Sequence, residues 1–306
     1  CFIDNKQLET IIIGAHYDHL GYGDFGSLYS GDKSLIHNGA DDNASGVALA
    51  ISLMKTLYDS SKMYNYLFIA FDGEEMGLYG SSFFCKNPTV DLDNVRFMVN
   101  FDMVGRLNES KDLAINGVGT SSQWSSLLNT INEKYQFKLI LSESGVGPSD
   151  HSSFYYKNVP AIHFFTGQHA DYHKPSDDSD KINYQGIQDI LYFVSDLIQS
   201  SSTIHNFDFQ ETKNDSNETP KFSVTLGVMP DYMFAGKGMR IDGVSKNKTA
   251  FKAGILQGDI IVKMGELNVI DMMTYMEALS LFQKGDTTNV QLLRSGNLID
   301  LMVIFQ

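Results

Sequence analysis

The sequence predicts an α/β protein: an α/β/α sandwich with a mostly parallel central sheet, followed by a small β-rich unit. Two observations carry that reading. Strand-like and helix-like runs alternate through residues 1–200, the pattern of strands laid side by side with helices returning across the sheet. The strand runs are nearly continuous in apolar residues, as expected of strands covered on both faces. Charge is uneven: residues 1–220 hold 14 Lys+Arg against 29 Asp+Glu, a net −15, and residues 221–306 hold 9 against 8, a net +1. A length of 306 residues also favours two domains.

Taken in order, the expected strands of the first unit are residues 10–15 (T-I-I-I-G-A), 64–71 (Y-N-Y-L-F-I-A-F), 95–101 (V-R-F-M-V-N-F) and 160–165 (P-A-I-H-F-F). The expected helices are 47–57, 122–136 and 184–200. Cys85 follows Phe83-Phe84 on a further helical stretch, where burial is the default for a thiol. A polar stretch opens at Ser200-Ser201-Ser202 and closes with E-T-K-N-D-S-N-E-T-P at Pro220, which reads as a linker. The domains are then 1–201 and 221–306, with a linker at 202–220. Asn214 and Asn217 in that linker fit a glycosylation pattern. In the second unit, strand patterns recur at 222–228, 239–244, 259–264, 290–294 and 298–305, with helices at 250–253 and 272–282.

Composition narrows the function. No apolar run is long enough to span a membrane. The acidic first part argues against nucleic acid as a partner and suits a site that binds cations, either metals or an ammonium group. Two cysteines, Cys1 and Cys85, give neither a disulfide framework nor a zinc-knuckle spacing. The chain begins at Cys1 with no basic stretch and no apolar signal core, so we expect native residues to precede it. That start says little about the compartment; the expected location is extracytoplasmic, periplasmic, secreted or surface-attached.

The chemistry collects where each strand ends. Residues 10–15 run into His16-Tyr17-Asp18, residues 64–71 into Asp72-Gly73-Glu74-Glu75, and residues 95–101 into Asp102. Residues 160–165 run into a loop ending Ala170-Asp171-Tyr172-His173-Lys174-Pro175. Open α/β sheets bind ligands at the carboxyl ends of their strands, so these His, Asp and Glu side chains are expected along one sheet edge. A Gly/Asn-rich turn, Asn38 to Gly46, adds Asp41-Asp42 at the start of the first helix. A lone Asp-Asp there is usually a solvated cap; the convergence of the other segments argues for more.

The segments A-H-Y-D-H (15–19), G-A-D-D-N-A-S-G (39–46), F-D-G-E-E-M-G (71–77), N-F-D-M-V-G (100–105), P-S-D-H (148–151) and D-Y-H-K-P-S-D (171–177) resemble, in order, those of the co-catalytic di-zinc aminopeptidase family, clan MH metallopeptidases. The resemblance covers nearly all of residues 8–200. It implies two Zn²⁺ ions per chain, about 3.5–4 Å apart. His16 and Asp102 would hold one, Glu75 and His173 the other, and Asp41 would bridge them beside a cis Asp41–Asp42 peptide. Glu74 would be the general base toward a metal-bridging hydroxide, Asp18 would orient His16, and Tyr172 would steady the oxyanion. The implied substrates are peptides with a free N-terminus. Met103, Phe164 and Phe165 are placed to line the substrate pocket or to pack in the core. Asp150, in Ser149-Asp150-His151, reads as a residue of a substrate-side or supporting loop, and His37, His163 and His169 fall outside the ligand pattern. A carboxypeptidase-type or glutaminyl-cyclase-like enzyme on the same fold, or a non-catalytic peptide-binding scaffold, are the alternatives.

In the second unit, Leu226-Gly227-Val228, the A-G-x-x-x-G-D-x-I run from Ala253 to Ile261 and Leu293-Arg294-Ser295-Gly296 resemble a bacterial PDZ domain. The resemblance implies peptide binding by strand addition beside the loop 225–228. Pro230 removes a donor soon after that loop and should keep any added strand short. A packing or lid role is the other reading.

Overall fold

The computed structural model describes residues 1–31, 33–212, 224–231, 234 and 236–306. They form two compact units, one of residues 1–26 and 34–214 and one of residues 27–33 and 215–306.

The first unit contains strands β1 (Phe2–Ile3), β2 (Thr10–His16), β3 (Asn65–Phe71), β4 (Val95–Phe101), β5 (Asp112–Asn116), β6 (Lys138–Ser142) and β7 (Ala161–Phe165). Its helices are α1 (Gly46–Ser60), α2 (Tyr79–Lys86), α3 (Trp124–Tyr135), α4 (His151–Tyr155) and α5 (Tyr184–Ser201). The strands make one sheet in the order β1-β3-β2-β4-β7-β5-β6. The central four, β3, β2, β4 and β7, are parallel; β1 pairs antiparallel to β3 and β5 antiparallel to β7. All seven residues of β2 and of β4 are buried. Alternation along them supplies both layers. Ile11, Ile13, Phe97 and Val99 pack with Leu49 and Leu53 of α1, Leu128 of α3 and Phe193 and Leu197 of α5. Ile12 and Met98 face the opposite way, against Cys85 of α2 and Phe154 of α4. Helix α5 buries Ile190, Phe193, Val194, Leu197 and Ile198 on one stripe, and the Asn183 side chain caps it by accepting the Gly186 N–H.

The expected strands and long helices are present within one to three residues at each end, and Cys85 is buried on α2 as expected. Strands β5 and β6 have no counterpart in the sequence reading. Each is five residues long, and β6 lies half in solvent at the sheet edge, so neither shows a continuous apolar run.

The expected linker is corrected at its start. Phe207 packs against Phe97 and Trp124, with ring centroids 5.0 and 4.6 Å away. The Asp208 carboxylate accepts from the Ser121 and Ser122 hydroxyls, 2.9 and 2.8 Å away, just before α3. Residues 203–212 therefore belong to the first unit, because one aromatic side chain and one carboxylate find partners there. The rest of the expected linker, with Asn214, Asn217 and the start of the strand expected at 222–228, lies outside the described residues. Arg96, buried on β4, is held by the chain on both sides of it in sequence. It donates to both Glu9 carboxylate oxygens at 2.9 and 2.8 Å, to the Ser201 carbonyl at 2.9 Å and to the Ile204 carbonyl.

The second unit contains β8 (Val228–Pro230), β9 (Met239–Val244), α6 (Thr249–Ala253), β10 (Ile260–Met264), β11 (Leu267–Asn268), α7 (Met272–Ser280), β12 (Thr287–Arg294) and β13 (Asn297–Ile304). Its sheet is wholly antiparallel, ordered β13-β12-β10-β9-β8 with β11 paired to β10. The core gathers Leu226, Ile241, Ile261, Leu292 and Val303. Asp259, buried, takes two hydrogen bonds from Arg294 at 2.8 and 2.7 Å. Pro230 sits in the edge strand β8 beside a register shift, consistent with its missing donor. In the loop before it, Leu226 turns its side chain into the core, and the Gly227 N–H donates to the Thr225 hydroxyl at 3.0 Å. Among the three residues expected to bind peptide, Leu226 is thus a core residue.

Candidate active site

The turn 39–46 is pinned to the end of β4. Gly39 adopts a left-handed φ of 60°, which begins the turn. Asn43 donates to the Phe101 carbonyl at 2.9 Å and accepts the Met103 and Gly46 N–H groups, each at 3.1 Å. Gly46 lies so close that a Cβ there would come within 2.5 Å of the Phe101 carbonyl oxygen. Asp177 reaches in from the 171–177 loop, where one carboxylate oxygen accepts the N–H groups of Asp41 and Asp42. The other accepts from Arg106 at 3.0 Å. Arg106 also pairs with Asp171 at 3.3 Å.

These constraints send the two neighbouring carboxylates in different directions. Asp41, fully buried, accepts from the Gly105 N–H at 2.6 Å and the Ser45 hydroxyl at 2.9 Å, and lies 3.1 Å from His169 Nε2. Asp42 occupies the centre instead. Its Oδ1 is 3.3 Å from His16 Nε2 and its Oδ2 is 3.3 Å from His173 Nε2. The central carboxylate is therefore that of Asp42, not Asp41, and the cis peptide is Asp42–Asn43, not Asp41–Asp42.

On one side of Asp42 stand His16 and Asp102, 3.3 Å apart, with Glu74 close to both. On the other stand His173 and Glu75, 3.1 Å apart. His16 donates from Nδ1 to the Asp18 carbonyl at 3.2 Å, and His173 donates from Nδ1 to the Gly26 carbonyl at 2.9 Å. Each ring therefore turns its Nε2 lone pair toward carboxylate oxygens, the arrangement of metal ligands oriented by a carbonyl behind them. The same carboxylates draw protons. Burial alone would lower both imidazoles, yet Asp102 and Glu74 raise His16 well above its usual pKa, and Asp42 and Glu75 do the same to His173. A dense set of buried carboxylates facing imidazole nitrogens suits divalent zinc in donor type and in charge.

The Asp18 carboxylate accepts the Glu74 N–H at 3.1 Å and the Glu75 N–H at 3.3 Å. Asp18 thus meets His16 through its carbonyl and the turn carrying the two glutamates through its carboxylate. Burial raises the Glu74 carboxyl well above its ordinary range. Tyr172 stacks on His173, centroids 4.0 Å apart.

The expected pocket residues are corrected. Phe164 is fully buried between Phe101 and Phe193 in the core. Phe165, Met103 and Asp150 are also buried, and burial pushes Asp150 up to about 7. None offers exposed surface to a substrate. His151 and His163 stack with each other behind the site, and burial lowers both. The sequence reading missed His19, Arg106, His169 and Asp177 as parts of the site. Two of them, His19 and Asp177, close the motifs 15–19 and 171–177, and that position was the only signal they carried.

These features define a candidate metal centre at the carboxyl edge of a mostly parallel sheet. The profile of peptidase family M28 matches residues 3–198, and a PDZ domain profile matches residues 208–304. The chain belongs to peptidase family M28. It is 28% identical over 193 residues to aminopeptidase YwaD of Bacillus subtilis (strain 168), covering 60% of this chain and 39% of that protein. It is 28% identical over 168 residues to leucine aminopeptidase 2 of Trichophyton rubrum, covering 52% of this chain and 31% of that one. The chain thus spans about a third of the length of these relatives. Among solved structures, an aminopeptidase from Aneurinibacillus sp. strain AM-1 superimposes with a TM-score of 0.52 at 25% identity, over 67% of this chain and 45% of that one. Porphyromonas gingivalis glutaminyl cyclase does so with a TM-score of 0.56 at 17% identity, over 65% and 76%, a likeness of fold. Among the described residues no helix is long and apolar enough to cross a membrane.

Proposed function

We propose that the first unit is a zinc-dependent exopeptidase, an aminopeptidase that removes residues from the free N-terminus of peptides, with two zinc ions per chain. One observation carries this reading: Asp42 stands between two donor sets, His16 with Asp102 and His173 with Glu75, and Glu74 lies beside the first. Zinc held by such residues acidifies water and polarises a carbonyl. The residues of this chain do the rest. Glu74, its carboxyl raised by burial, takes a proton from the attacking water and hands it to the leaving amine. Asp18 keeps Glu74 turned to that task and leaves Glu75 to the metal. The Tyr172 hydroxyl is the candidate donor to the oxyanion. The surplus of carboxylates suits an N-terminal ammonium group as substrate.

The second unit, on this reading, takes short extended peptides along β8, with Pro230 limiting the length of the added strand. An extracytoplasmic location belongs to the same proposal, and cell fractionation of the native host tests it.

The deciding experiment incubates the zinc-loaded protein with free, N-acetylated and C-amidated peptides, one of them beginning with glutamine. Cleavage of free N-termini alone, whatever the C-terminus, is expected. Cleavage that instead requires a free C-terminus makes the protein a carboxypeptidase, and ammonia release with cyclisation of the glutamine peptide makes it a cyclase.

A further inference from the structure

His19 has no role in the reading above, yet it touches the centre. Its Nδ1 lies 2.8 Å from Glu75 Oε1, the oxygen opposite the one that meets His173. Its side chain is about nine-tenths buried, 10% exposed, and its Nε2 has no hydrogen-bond partner among the described residues. The ring is backed by the turn: a Cβ on Gly39 would come 2.7 Å from His19 Cγ, so the ring packs closely on the backbone that leads into Asp41 and Asp42. It meets the His173 ring edge-on, centroids 5.9 Å apart.

A carboxylate with a free torsion can offer either oxygen, or both, to a cation. We propose that His19 is the positioning residue for Glu75. Its Nδ1–H holds Oε1, so that Oε2 faces the position shared with His173 and Asp42. The 2.8 Å separation is a hydrogen-bond length. His19 Nδ1 stands 3.9 Å from Asp42 Oδ2, farther than His173 Nε2 at 3.3 Å; ligand atoms of His19, Asp42 and Glu75 lie within 4.8 Å of one another, but the Nδ1 of His19 is taken by Glu75 Oε1. The consequence is unequal: losing His19 loosens the Glu75–His173 position and leaves the His16–Asp102 position as it was. This inference rests on the zinc reading, and the experiment separates the two.

The experiment is a zinc titration of the metal-free protein against a chromophoric chelator, for wild type, His19→Ala and His19→Asn, with circular dichroism and thermal unfolding of each metal-free protein. Wild type is expected to bind two zinc ions. In His19→Ala one of the two should weaken by about 10–100-fold, the usual cost of removing a group that holds a metal ligand. In His19→Asn the side-chain amide can donate from near the place of Nδ1, so both affinities should stay within about threefold of wild type. If His19→Ala fails to fold, His19→Gln, whose amide overshoots that place, should show the same single loss. Two unchanged zinc affinities in His19→Ala overturn the inference. So does an affinity in His19→Asn as weak as in His19→Ala, since the ring nitrogen would then itself be a ligand. A wild type that binds no zinc overturns the zinc reading as well.

Discussion

The Asp177 carboxylate accepts the backbone N–H groups of Asp41 and Asp42 with a single oxygen, at 2.8 and 3.1 Å. The loop that supplies His173 therefore also holds the turn that supplies Asp42. Asp177 is fully buried and its other oxygen is satisfied by Arg106. Asp177→Ala leaves two buried N–H groups unanswered and strips the Arg106 guanidinium of its nearer carboxylate, leaving it Asp171. It should cost about 3–5 kcal/mol, as when one partner of a buried ion pair is removed. Urea unfolding of the metal-free protein measures it; a loss under about 1 kcal/mol would be that of a surface pair and would contradict the buried role.

Asp41 and Asp42 are distinguished by substitution with Asn, which keeps their shape. Asp42→Asn should weaken both zinc positions, each by at least about 10–100-fold, because a group facing both imidazoles is lost. Asp41→Asn should keep two zinc ions, since Asp41 is turned toward Gly105, Ser45 and His169. Metal analysis after dialysis reads both, and the reverse pattern would restore Asp41 to the bridge.

Glu74 and Glu75 should part in the same way. Glu74→Gln cannot take a proton, and kcat is expected to fall about 10²–10⁴-fold with zinc content unchanged. Glu75→Gln should lose one zinc and recover part of its activity in excess zinc. Rescue of Glu74→Gln rather than Glu75→Gln would exchange their roles.

The two cysteines should differ in reactivity. Burial pushes the Cys85 thiol up to about 12, whereas Cys1 is exposed. At pH 8 a thiol of that pKa is about 10⁻⁴ thiolate, so a thiol reagent should label one site in the native protein and two after denaturation. Native labelling of Cys1→Ser at the rate of a free thiol would place Cys85 in contact with solvent.

The position of the linker predicts where the chain can be cut. A piece ending at 201 loses Phe207 from its place against Phe97 and Trp124 and Asp208 from the start of α3, and should be less stable than a piece ending at 212. The longer piece should hydrolyse a dipeptide-sized substrate within about tenfold of the whole chain, as a modular site does. Equal thermal stability of the two pieces would restore the boundary at 201.

Much of this site was legible in the sequence because strand ends are. His16, Glu74, Asp102 and His173 each follow an apolar run, and parallel strands bring such ends together whatever the details of packing. The choice between Asp41 and Asp42 was not legible: both are carboxylates in one turn, and contacts from the Phe101 carbonyl and the Asp177 carboxylate decide which faces the histidines. His19 and Asp177 stood inside recognised motifs, but their partners lie 56 and more than 130 residues away in the chain. Phe207 was overlooked because a single aromatic residue in a polar stretch has no periodicity to mark it.

Arg96 has a consequence for how the chain is made. A ribosome delivers β4 more than a hundred residues before Ser201 and Ile204, the carbonyls that share the Arg96 guanidinium with Glu9. Until α5 and the turn after it emerge, the central strand carries a cation whose burial is incompletely answered, and burying it would be unfavourable. The full set of partners of Arg96 is in place only when the chain after α5 is.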